Sequence, residues 1–86
     1  MSVLEYRDRI SACDRELLAA ANRRLELVRE LHEFKRSEGI PLIDTAREEQ
    51  LVVELQAANQ GPMSAEGVAA LFRFVLDLTR REIHGA

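Results

Sequence analysis

Residues 1–38 contain neither glycine nor proline, and apolar side chains recur along them in steps of three and four. The spacing predicts one helix from about Val3 to Ser37. Gly39 supplies a left-handed cap and Pro41 follows, so the helix stops there. About 35 residues at 1.5 Å rise give a rod of roughly 52 Å. A compact chain of 86 residues has a radius of gyration of only ~12 Å. The helix must therefore project beyond any core that one copy can build. Its seam stays amphipathic to the end, so another surface has to cover it. The simplest cover is a second copy of the chain, antiparallel or intertwined.

Two further helices account for nearly all the rest. One runs from about Thr45 to Ala58 and ends at the NQGP stretch, residues 59–62. The other starts near Ser64 and continues to about His84, with an apolar stripe of Val68, Leu71, Phe72, Val75 and Leu76, then Thr79 and Ile83. The expected fold class is all-α: three helices per chain, the N-terminal one very long, intertwined in a homodimeric helical bundle. Residues 1–86 read as a single domain.

Apolar residues make up 47 % and charged residues 31 % of the chain, which argues against disorder. The formal net charge is -3, and no basic run is interleaved with aromatics, so nucleic acid is not an expected partner. The lone Cys13 sits beside Ile10 and Leu17 at an apolar helical position and reads as a small core residue. No CxxC or His/Cys cluster suggests a metal. The N-terminus is charged and lacks an apolar signal region. No run approaches the ~20 apolar residues of a membrane span. The expectation is a cytoplasmic protein.

The seam of the first helix reads Arg7, Ile10, Asp14, Leu17, Ala21, Arg24, Val28, Leu31, Lys35. Its charged members need partners or a wet cavity, because an unpaired buried cation costs several kcal/mol. Arg24 and Lys35 share a face ~16 Å apart along the axis, close enough for long side chains to grip one small anion from both ends. Arg7 lies ~25 Å before Arg24 and can join them only from another copy. A plainer alternative pairs Arg24 with a carboxylate and lets Lys35 snorkel near the helix end.

At residues 42–51, Asp44 is a candidate N-cap, and Thr45 with Glu48 forms a T-x-x-E capping box. Arg47 is a cation in the first turn, where the helix dipole disfavours it, which suggests an anion or carboxylate nearby. His32 reads as a solvated-face residue, and so does Arg23.

These residues resemble a known family. R-x-x-I-x-x-x-D-x-x-L-L from Arg7 to Leu18, then Arg24, Lys35 and D-x-x-R-E (Asp44, Arg47, Glu48) are similar to the all-helical AroQ-type chorismate mutases. The resemblance runs from about Leu4 to Glu82. It implies an intertwined dimer with two active sites and the rearrangement of chorismate to prephenate, a step of aromatic amino acid biosynthesis in the shikimate pathway that needs no cofactor and no metal. It also implies roles. Arg24 and Arg7 of the other chain would bind the carboxylates. Lys35 would donate to the ether oxygen. Glu48, with Asp44 nearby, would receive the ring hydroxyl. Arg47 would complete the wall, and Thr79 would match a small hydroxyl position. Where the family carries a second donor to the ether oxygen, this chain has Ile83, flanked by Glu82 and His84. The same fold also serves isochorismate-pyruvate lyases and weakly active or regulatory domains that need a shikimate-pathway partner enzyme. The D-x-x-R-E pair favours the mutase over the lyase, and a mutase acting on 4-amino-4-deoxychorismate is a further variant of the same resemblance.

Overall fold

A computed structural model of the chain describes residues 1–84, with the side chain of His84 outside that description. Three helices are present: α1 (Val3–Glu38), α2 (Thr45–Ala58) and α3 (Ala65–His84). Ser2 caps α1, its hydroxyl accepting from the Glu5 amide at 3.1 Å. Gly39 ends it with φ 67°, a left-handed conformation that costs a side chain energy and costs glycine none. Ser64 starts α3 by accepting from the Gly67 amide at 3.0 Å.

α3 packs against both other helices, and α1 and α2 make no helix–helix contact of their own among the described residues. The connector between α2 and α3 is tied by side-chain amides. Asn59 Nδ2 donates to the Met63 carbonyl at 2.7 Å, and Gln56 Nε2 donates to the Ala65 carbonyl at 2.9 Å. Polar backbone in the turn is thereby satisfied locally, and the two helices form a hairpin. Val52, Val68 and Ala69 make its small core.

The molecule measures 55 × 24 × 20 Å, with a radius of gyration of 16.0 Å. The long axis is α1. Residues 3–20 of it are exposed throughout, and cover begins at Ala21. Ile10 and Leu17, on the predicted seam, are 59 % and 60 % exposed. Cys13, read from sequence as core, is exposed as well, as is every residue of α1 before Ala21.

A second correction concerns His32, expected on the solvated face and found buried at 7 % exposure. The covered face of α1 follows the four-residue row Arg24, Val28, His32, whereas Leu31 on the predicted seam is 47 % exposed. The third concerns the start of α2. Asp44 is the N-cap, accepting from the Arg47 amide at 3.0 Å, so Thr45 is already helical and the T-x-x-E box does not form.

Gly39→Ala tests the α1 stop. A Cβ there meets no atom within 4 Å, so the cost is backbone strain alone, about 1 kcal/mol. Chemical denaturation should show a lower midpoint with an unchanged slope.

Candidate active site

The C-terminal half of α1, the start of α2 and the second half of α3 converge on a pocket of about 130 Å³. Six of the eight site residues expected from sequence line it: Arg24, Lys35, Asp44, Arg47, Glu48 and Thr79. Arg7 and Ile83 lie outside the lining. Arg7 sits on the exposed half of α1, Ile83 is half-buried and Glu82 is exposed. The side chain of His84 lies outside the described residues.

Arg24 enters between α1 and α3. Its Nη1 donates to Thr79 Oγ1 at 2.9 Å. That hydroxyl in turn donates to the Val75 carbonyl at 2.7 Å, one helical turn back on α3. The chain of bonds fixes the guanidinium and spends the Thr79 proton, so Thr79 acts on Arg24 as an acceptor. Lys35 Nζ reaches the Leu42 carbonyl at 3.4 Å, which holds it over the loop that leads to α2. Both acceptors are neutral. Neither cation forms an ion pair among the described residues.

The carboxylates stand opposite. Asp44 is committed to the N-terminus of α2, where its charge complements the helix dipole. Arg47 finds the carboxylate that its unfavourable position called for in Glu54, at 3.2 Å. Glu48 is held by Arg80 of α3. Arg80 Nη2 donates to Glu48 Oε1 at 2.7 Å and also contacts Oε2.

Arg80 and His32 are the polar wall residues that sequence reasoning missed. A signal for Arg80 existed. Glu48 and Glu49 lie together on α2, and a helix packed across them needs a cation facing that charge. Arg80 follows Thr79 directly on such a helix.

The pocket thus presents two cations with neutral partners at one side and a paired carboxylate at the other. The family model for chorismate mutase type II matches residues 6–83. The chain belongs to the type II chorismate mutase family. Form I of a chorismate mutase from Thermus thermophilus superposes with a TM-score of 0.86 at 28 % identity, over 90 % of this chain and 96 % of that one. Form II gives 0.85 at 28 % identity, over 90 % and 88 %. No curated protein matches the sequence.

For this type II mutase chain the Arg24–Thr79 bond is open to direct test. Thr79→Val keeps the shape and removes the acceptor from a partly buried guanidinium. Thermal denaturation should register a loss of about 1–3 kcal/mol. Thr79→Ser keeps the oxygen and should lose less.

Proposed function

We infer that this chain is a chorismate mutase, an isomerase that converts chorismate to prephenate. The observation that carries the reading is the pairing of charges in the pocket. Among the described residues Arg24 and Lys35 have only neutral partners, Thr79 and the Leu42 carbonyl. Two such cations suit a substrate with two carboxylates.

The rearrangement is unimolecular. The ether C–O bond breaks as a new C–C bond forms, and all electrons stay within the substrate. No proton, nucleophile or redox partner is required. The protein's task is to hold a flexible dianion in its compact, reactive conformer, which removes an entropic part of the barrier. Arg24 offers a fork to one carboxylate, and a fixed guanidinium needs little reorganisation to do so. Lys35 is assigned to the ether oxygen, where negative charge builds as the C–O bond opens. A donor already in place stabilises that charge more in the transition state than in the ground state. Glu48 and Asp44 face the ring substituent, and Arg47 closes the wall behind them.

The site draws on a second copy of the chain in this reading, with Arg7 of the partner subunit binding the other carboxylate. Two features support a homodimer. The N-terminal half of α1 is uncovered and carries Val3, Leu4, Tyr6, Ile10, Leu17 and Leu18 exposed. Next to it lies an apolar groove between α1 and α3, formed by Leu17, Ala21 and Leu25 against Leu71, Phe72 and Val75. A single domain over residues 1–86 and a cytoplasmic setting complete the reading. Among the described residues no helix is long and apolar enough to cross a membrane.

Purified protein mixed with chorismate should yield prephenate, identified by NMR, faster than buffer does. Lys35→Ala should lose at least ~100-fold in kcat while sedimenting as the wild type does. Absence of any acceleration by the wild type would overturn the assignment. Shared sites have their own test. Mixed dimers of Arg7→Ala with Arg24→Ala should regain about a quarter of the sites, since one of two sites is intact in half of the dimers. No recovery on mixing would argue for sites built within one chain.

A further inference from the structure

The pocket carries an ion pair that the substrate's two carboxylates do not require. Arg80 Nη2 bridges both oxygens of Glu48, and the two side chains are 43 % and 24 % exposed. The Arg80 Nε is buried and has no hydrogen-bond partner among the described residues. Its contact with Glu48 is therefore what holds the head group. Arg80 sits on α3 one residue after Thr79, so the helix that fixes Arg24 also fixes the charge beside Glu48.

A carboxylate has about four lone-pair sites, and Arg80 occupies two of them. The remainder can accept a hydrogen bond from a ligand. What the ligand meets is an acceptor whose charge is already balanced. A neutral hydroxyl fits that acceptor well. An ammonium group fits it badly, because it approaches the guanidinium as well as the carboxylate. The rest of the wall points the same way: Arg47 is paired with Glu54 and Arg80 with Glu48, which leaves Arg24 and Lys35 as the cations without a carboxylate partner among the described residues. A dianion with a neutral ring substituent balances those two charges, whereas an analogue bearing a ring ammonium brings one less net negative charge.

We propose that Arg80 is a specificity-determining residue: by neutralising Glu48 it makes the site select a ring hydroxyl over a ring ammonium. The inference rests on the chorismate mutase reading above, in which Glu48 faces the ring substituent. Arg80 touches no reacting atom. It acts through Glu48.

The test compares kcat/KM for chorismate and for 4-amino-4-deoxychorismate, whose ammonium replaces the hydroxyl. Wild type should favour chorismate. Arg80→Met and Arg80→Gln leave Glu48 with its full charge, and each should move the ratio towards the amine by at least about tenfold. Arg80→Lys keeps the cation and should keep the wild-type preference. Glu48→Gln removes the carboxylate and leaves Arg80 in place, so it should move the ratio the other way. That arm does not depend on whether an Arg80 variant folds. A ratio unchanged in a folded Arg80→Met or Arg80→Gln, or moved as far by Lys as by Met, overturns the inference while the mutase reading stands. A wild type that turns over no chorismate overturns the mutase reading and the inference with it.

Discussion

A guanidinium on the covered face of a helix has to find acceptors, since leaving it unmet costs several kcal/mol. Arg24 meets that demand through Thr79, which is itself tied to the backbone of α3. Much of the site follows from this arrangement. The bond locks α1 to α3 at one register. It uses a neutral acceptor, so the positive charge is left for a ligand. It also keeps the guanidinium in one orientation, which reduces the entropy lost on binding.

The other half of the site rests on the α2–α3 hairpin. Asn59 and Gln56 stitch its connector, and Val52 packs in its core. The Glu48–Arg80 pair then spans a unit whose two sides are held independently of it. In the proposed chemistry the division of labour is spatial. α1 supplies the free cations for the carboxylates and the ether oxygen. The hairpin supplies the balanced acceptor for the ring.

Much of this was legible in the sequence. The length of α1, the stop at Gly39, the bounds of α2 and the convergence of Arg24, Lys35, Asp44, Arg47, Glu48 and Thr79 follow from periodicity, capping chemistry and the family motif. What was not legible depends on which side of a helix its neighbour chooses. His32 and Leu31 are adjacent residues on α1, and periodicity alone prefers the leucine as the inner one. The covered row is Arg24, Val28 and His32 instead, and the histidine is buried. Cys13 shows the converse case. Its pattern is that of a core residue, but among the described residues it stands exposed. Arg80 was missed because an arginine late in a helix, here next to Arg81, resembles any solvated cation until the opposing carboxylate is placed.

The connection between α1 and the hairpin has a geometric consequence. The two parts are joined in sequence by residues 39–44 alone and in space by α3 lying along α1. A slip of one helical turn between α1 and α3 would carry Arg24 and Lys35 about 5.4 Å relative to Glu48. The Arg24–Thr79 hydrogen bond opposes that slip. It therefore works as a ruler, setting the span between the cationic end of the pocket and its acceptor end, and with it the length of molecule that can touch both at once.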